Sequence, residues 1–333
     1  MTLMDRFGRT HDYLRLSITD RCNLRCVYCM PEEGLPFFPT DSVLSAAEII
    51  QLVKNFADLG IKKVRLTGGE PLLRKDVLEI VQGIRAISAI EDIAVTTNGL
   101  ALKRLAKPLR EAGVDRLNIS LDTFDANKYR TITRGGNVKQ VLKGIEEATA
   151  AGFDQIKINT VVIHGQNDNE IIDFLRYTLD HPVNVRFIEF MPISEEKNQI
   201  WQRDYVGVDK VFDVCHEQGW SYKALPHLKG NGPSENFQLE NAQGSFGLIH
   251  PISCNFCESC NRLRITADGC IKSCLYWDDE ANIRDVIYEP EHFAAKIQAA
   301  LDLKPENHEM ALAEQEKVAD KKPTWRHMSQ IGG

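Results

Sequence analysis

Cys22, Cys26 and Cys29 stand at C-x3-C-x2-C spacing directly after a short strand-like run at residues 13–19. Three thiolates on one tight loop can hold three irons of a four-iron, four-sulfur cube, which ordinarily takes four cysteines. No fourth cysteine lies nearby, so one iron is left open to a ligand. The spacing therefore points to chemistry at an iron rather than to bracing alone. A structural zinc site needs a fourth ligand, and the nearest histidine, His11, lies on the wrong side of the strand. A disulfide reading needs an oxidising compartment.

A second thiol group comprises Cys254, Cys257, Cys260, Cys270 and Cys274, surrounding the segment Asn261-Arg262-Leu263-Arg264-Ile265-Thr266. On spacing alone a zinc ribbon built from two cysteine pairs stands as one reading of it. Cys215 has no cysteine neighbour and reads as a small core residue. Arg15, Lys63, Arg65 and Lys157 fall within strand-like runs. Charges there are expensive to bury unless paired. A structural ion pair explains one such residue; several on neighbouring strands suggest a polyanion socket, because guanidinium forks match phosphate oxygens. Gly68-Gly69-Glu70-Pro71 can bare its backbone to a ligand or simply make a tight turn. The chain has no G-x-x-x-x-G-K-[ST] and no well-placed G-x-G-x-x-G, so side chains must hold any nucleotide.

These residues need a scaffold, and residues 14 to about 190 alternate strand and helix patterns. Strands are expected at 14–19, 63–67, 93–97, 116–121, 156–163 and 185–190. Helices are expected at 45–59, 76–87, 102–112, 138–151 and 169–179. Ser45 with Glu48 three residues on reads as a capping box, and Pro108 should kink the third helix. Repeated right-handed strand–helix units give a parallel α/β sheet, here a partial (βα)6 TIM-like barrel. Such barrels bind ligands at the carboxyl ends of their strands. The cysteine loop, Gly68–Pro71, Thr96-Thr97-Asn98-Gly99, Ser120-Leu121-Asp122 and Glu189-Phe190-Met191-Pro192 all fall there. Beyond residue 190 the rhythm fades: a short helix at 206–217, a surface turn at 229–233, and a β extension at 237–249 that would close the open side. The expected division is a barrel at 1–195, an extension carrying the second thiol group at 196–303, and a polar tail at 304–333.

The chain has 333 residues, 43% hydrophobic and 26% charged, with net charge -7. That fits an ordinary globular protein and argues against bulk attraction to nucleic acid or anionic membranes. No apolar run approaches a membrane span, and residues 1–10 lack a secretory h-region. Nine cysteines in that context predict a reducing cytoplasm, with the thiols serving metal.

The first loop, with Tyr28 before its last cysteine, resembles the signature of the radical S-adenosylmethionine (SAM) enzymes. In that family SAM chelates the open iron, and one electron splits it to a 5'-deoxyadenosyl radical. C-x2-C-x13-C at Cys257, Cys260 and Cys274, together with C-N-R-L-R and a terminal Gly-Gly, resembles one branch of it: the GTP 3',8-cyclases, or molybdenum cofactor biosynthesis protein A family. The match runs over nearly the whole chain. It implies a [4Fe-4S] cluster on Cys22, Cys26 and Cys29, with Tyr28, Gly69, Ser120 and Met191 contacting SAM. It implies GTP contacts from Arg15, Arg65, Thr96, Lys157, Arg262, Leu263 and Arg264. A second [4Fe-4S] cluster would sit on Cys257, Cys260 and Cys274, its open iron bound by guanine. Gly332 and Gly333 would enter the active site.

The implied reaction makes 3',8-cyclo-7,8-dihydro-GTP by C3' hydrogen abstraction and addition to guanine C8. It draws electrons from an external reductant and passes product towards cyclic pyranopterin monophosphate synthase, in a monomer or homodimer. The resemblance leaves Cys254 and Cys270 without a role. The alternatives are a radical SAM enzyme with an auxiliary cluster acting on a peptide, and a non-enzymatic metal-binding protein.

Overall fold

The computed structural model describes residues 2–193, 201, 203–226, 232–254, 256–308 and 323–332. Gly333, the expected boundary at 195/196 and residues 229–231 of the expected turn lie outside the described residues.

Six strands form in the expected places: β1 Tyr13–Ser17, β2 Lys63–Thr67, β3 Asp92–Thr97, β4 Arg116–Ser120, β5 Ile156–Val162 and β6 Val183–Glu189. They pair in sequence order and in parallel. Between them lie α1 Ala46–Asp58, α2 Val77–Arg85, α3 Leu102–Ala112, α4 Ala126–Thr133, α5 Val138–Ala150 and α6 Ile171–Asp180. The Ser45–Glu48 capping box forms, with Ser45 N–H donating to Glu48 Oε2 at 2.7 Å and Glu48 N–H to Ser45 Oγ at 3.3 Å; such a cap contributes about 1 kcal/mol. Pro108 lies inside α3, which continues to Ala112.

The later chain adds α7 Lys210–Glu217, an antiparallel run of β7 Tyr222–Leu225, β8 Glu235–Leu239 and β9 Ser245–Ile249, then β10 Arg262–Ile265, β11 Cys270–Lys272, β12 Glu280–Asn282, α8 Pro290–Asp302 and α9 Met328–Ile331. The extension does more than cover one side. β9 joins β6 and β10 joins β1, both in parallel, so barrel and extension share one twelve-stranded sheet. Its order is β12-β11-β10-β1-β2-β3-β4-β5-β6-β9-β8-β7, and among the described residues no ladder joins β12 to β7.

Strand alternation sorts the residues by face. Leu14, Leu16, Val64, Leu66, Ile93, Val95, Leu117, Ile119, Ile158, Val185, Leu263 and Ile265 are fully buried in the core with α1 to α3 and α5. The register sets Arg264, Arg15 and Arg65 side by side across β10, β1 and β2. It likewise sets Thr96, Asn118 and Lys157 in line across β3, β4 and β5. The barrel interior is therefore built from the polar half of each strand.

The sequence reading missed α4, which braces the first cysteine loop. Arg25 N–H donates to Thr133 O at 3.0 Å and Val27 N–H to Ile132 O at 2.9 Å. The tail is no solvated end where it is described: Pro323 bridges Trp277, and Arg326 and Ile331 are buried.

Candidate active site

One cavity of about 310 Å³ opens at the carboxyl ends of the strands. Cys22, Cys26 and Cys29 line it, and so do Cys257, Cys260 and Cys274. Between them the wall carries Arg15, Arg65, Thr96, Ser120, Arg262 and Arg264, with Tyr28, Gly69 and Met191 also facing the space. All of these were expected from sequence.

The first loop is bolted to the β2 end through backbone. Gly69 N–H donates to Thr19 O at 2.8 Å and Glu70 N–H to Arg21 O at 2.7 Å. A Cβ on Gly69 would fall 2.4 Å from Arg21 O, and one on Gly68 2.3 Å from Thr19 O. The glycines thus serve close approach of two backbones, not only a turn. Gly69 itself lines the cavity. Gly69→Ala should disturb the loop by about 1–3 kcal/mol of overpacking. We expect SAM affinity, measured by equilibrium binding, to fall at least about tenfold, with a lower melting temperature; unchanged binding would show that the approach is dispensable.

Glu70 takes hydrogen bonds from Thr97 Oγ1 at 2.7 Å, Asn98 N–H at 2.7 Å and Leu72 N–H at 3.0 Å. Burial still pushes its carboxyl up to about 7. Tyr28 donates to Asp122 Oδ2 at 2.8 Å; burial raises Asp122 to about 6, against the pull of that bond. Burial also raises the Cys22 thiol to about 11.

The second trio sits on the turn Cys257–Ser259 and just beyond β11. Arg9 donates to Cys257 O at 2.8 Å, and Lys304 Nζ to the carbonyls of Arg262, at 3.2 Å, and Ser273. Burial opposes ionisation of Cys260, but Arg262 and Lys304 outweigh it and lower the thiol to about 6. The zinc-ribbon set does not assemble: Cys254 is exposed, and Cys270 is buried on β11, away from the cavity. Among the described residues no three His, Cys, Asp or Glu side chains converge to hold a single metal ion. The thiols of each trio are neighbours: besides burial, Cys29 and Cys22 help raise the Cys26 thiol, and Cys274 and Cys260 help raise that of Cys257.

The cavity also fits an anion. Arg15 and Arg65 are pushed down to about 9 and about 10, by burial first, and no carboxylate is among the charges that shift them. Among the described residues their Nε atoms and the hydroxyls of Thr96 and Ser273 have no hydrogen-bond partner, and neither does the acceptor Asn159 Oδ1. Buried polar groups are seldom left so without a ligand.

Four expected contacts fall elsewhere. Leu263 faces the core, fully buried, because it alternates with Arg262 and Arg264. Lys157 shares the face of Asn159 on β5 but lies deeper, outside the cavity lining; burial, then Arg186, Arg116 and Arg65, lowers it to about 6. Lys63 pairs with Asp12 at 3.2 Å instead of facing the cavity. Gly332 lies just behind the lining, its carbonyl accepting from Arg264 Nη1 at 2.8 Å. The cavity adds Arg186, Asn159, Phe256 and Lys304, which sequence reasoning missed, and the side chain of Glu70, which it read only as part of a backbone turn. Arg186 carried the same signal as Arg15, a guanidinium inside an apolar strand.

A partial barrel with a three-cysteine loop and a glycine-rich β2 end defines the radical SAM class. Residues 16–178 match the Radical SAM superfamily, and residues 183–310 match Molybdenum Cofactor Synthesis C. The fold is shared with Streptococcus suis SuiB bound to S-adenosylmethionine (TM-score 0.56, 15% identity, 87% of this chain and 68% of that one) and with native anSMEcpe with bound AdoMet (TM-score 0.54, 16% identity, 90% and 82%).

Curated relatives carry the identification further. The GTP 3',8-cyclases of Lactiplantibacillus plantarum (63% identical over 331 residues), Listeria monocytogenes (56% over 331) and Petrotoga mobilis (43% over 333) align with 99% of this chain and at least 99% of their own length. The chain belongs to the GTP 3',8-cyclase family.

Proposed function

We propose that the cavity is where GTP is cyclised, held between two iron–sulfur clusters that face each other. The chain is a GTP 3',8-cyclase, converting GTP to (8S)-3',8-cyclo-7,8-dihydroguanosine 5'-triphosphate in the first step of molybdenum cofactor synthesis. Its class requires one [4Fe-4S] cluster and SAM. We assign the first to Cys22, Cys26 and Cys29, and a second cluster to Cys257, Cys260 and Cys274. Held there, the first cluster and SAM would supply a 5'-deoxyadenosyl radical able to take hydrogen from ribose C3'; C3'–C8 bond formation would leave a nucleotide radical completed by one electron from the external reductant and one proton.

The observation that carries this reading is that both thiol trios and the guanidinium row open on one cavity. Tyr28 and Met191 flank the SAM end, with Ser120 and Gly69 on the wall. Arg15, Arg65 and Arg264 offset a triphosphate of about four negative charges, each charge-assisted bond contributing roughly 1.5–3 kcal/mol. Thr96 and Asn159 supply neutral partners along the same wall. Arg262 and Phe256, with the guanidinium 4.8 Å from the ring centroid, stand beside the second trio where the base would lie. Arg186 lines the same cavity and adds positive potential, with Lys157 lying deeper behind it. Positioning of ribose between two fixed ends is the protein's share of catalysis.

Arg65→Ala should weaken GTP binding roughly 10- to 150-fold, read by equilibrium binding. Its GTP-independent SAM cleavage should stay near that of the parent. Equal loss of both would place Arg65 at the SAM site instead.

No described helix is long and apolar enough to cross a membrane. We place the enzyme in the cytoplasm, as a monomer or homodimer, fed by an external one-electron reductant. Its product passes to cyclic pyranopterin monophosphate synthase.

A further inference from the structure

Arg326 is 2% exposed and stands 3.2 and 2.9 Å from the two Asp268 carboxylate oxygens, and 2.8 and 2.9 Å from those of Glu280. Its Nη2 also lies 3.6 Å from Cys270 Sγ, which gives that cysteine a setting outside both trios. Asp268 precedes β11 and Glu280 begins β12, so one guanidinium ties the returning tail to two points of the extension. Thr324 N–H adds a bond of 2.6 Å to Tyr276 O. Six residues beyond Arg326 the chain reaches Gly332, whose carbonyl takes the Arg264 Nη1 hydrogen bond at 2.8 Å. Gly332 sits so tightly, at φ +66°, that a Cβ would fall 2.5 Å from Thr67 Cγ2. Between the two, Ile331 packs with Ile193, Tyr276 and Trp277, in a cluster that Met191 and Cys274 also touch.

From this geometry we propose that Arg326 is a positioning residue: it clamps the tail so that the Gly332 carbonyl holds the Arg264 guanidinium in the direction the substrate needs. The inference rests on the reading of Arg264 as a GTP contact. Arg264 is fully buried and crowded by Arg15 and Arg262. A guanidinium under like-charge repulsion turns away unless an acceptor holds it, and Gly332 O accepts from this one at 2.8 Å. Arg326 lines neither the cavity nor a trio, and the tail is one of the segments its ion pairs tie together.

The test is a double-mutant cycle on the full holoenzyme. Arg326→Leu should leave GTP-independent 5'-deoxyadenosine formation near that of the parent. It should raise the KM for GTP about tenfold and lower cyclised product per 5'-deoxyadenosine by a similar factor, with Arg326→Lys between. In a chain ending at Ile331, Arg326→Leu should add nothing further. If it costs the same factor there as in the full chain, Arg326 acts independently of the tail and the proposal is overturned. If ending the chain at Ile331 changes nothing by itself, the tail reading fails, and the clamp with it. If GTP affinity survives Arg264→Ala, the substrate reading fails separately. Should Arg326→Leu not fold, the Asp268→Asn, Glu280→Gln double variant cuts the same clamp from the other side and must show the same pattern.

Discussion

Cys22→Ala should reduce both 5'-deoxyadenosine and cyclised GTP by more than about 10³-fold, because the radical source is removed and not merely weakened. Cys22 lines the cavity beside Cys26 and Cys29, and the trio has no spare thiol: among the described residues the next cysteines that reach the cavity belong to the second trio. Leu24 N–H lies 3.4 Å from Cys22 Sγ, so this sulfur is placed by its own loop. That loop is in turn held by the β2 end and α4. Alanine leaves this frame in place, so the fold should survive while iron falls by about four per chain. Anaerobic turnover, iron analysis and thermal unfolding together check this. Retained SAM cleavage would move the radical source away from the first loop.

Cys274→Ala should separate two activities that the parent couples. Some 5'-deoxyadenosine should still form, because the first trio and the Gly68–Glu70 turn follow β1 and β2, and Cys274 lies beyond β11. Cyclised product should fall by more than about 10²-fold, since a substrate held at one end only loses most of the benefit of orientation. The spectroscopic partner of this result is loss of one of two four-iron signals. Full cyclisation by this variant would remove the second cluster from the account.

Much of this could be read in the sequence because the signals were local. Three cysteines within eight residues, Ser45 with Glu48, and arginines inside apolar strands each declare themselves over a few positions. The six parallel strands followed from alternation, and their order from short right-handed connections. What escaped depended on long-range pairing. Nothing near Arg262 says that β10 pairs with β1, yet that register puts Arg264 beside Arg15 and turns Leu263 into the core. Depth escaped as well. Lys157 and Asn159 share a strand face, but only the geometry of the barrel shows that Asn159 reaches the cavity and Lys157 lies below it. Helix α4 is short, and its buried side chains are Tyr129, Ile132 and Thr133, too few for a clear period. Arg326 reads as an ordinary charge in a polar tail until Asp268 and Glu280 are seen around it.

The two facing trios are tested most directly by electron paramagnetic resonance of anaerobically reconstituted, reduced protein, titrated separately with SAM and with GTP. The account predicts about eight irons per chain and two four-iron signals, one shifted by SAM alone and the other by GTP alone. A single four-iron signal that answers to both ligands, or zinc in place of the second cluster, would contradict it.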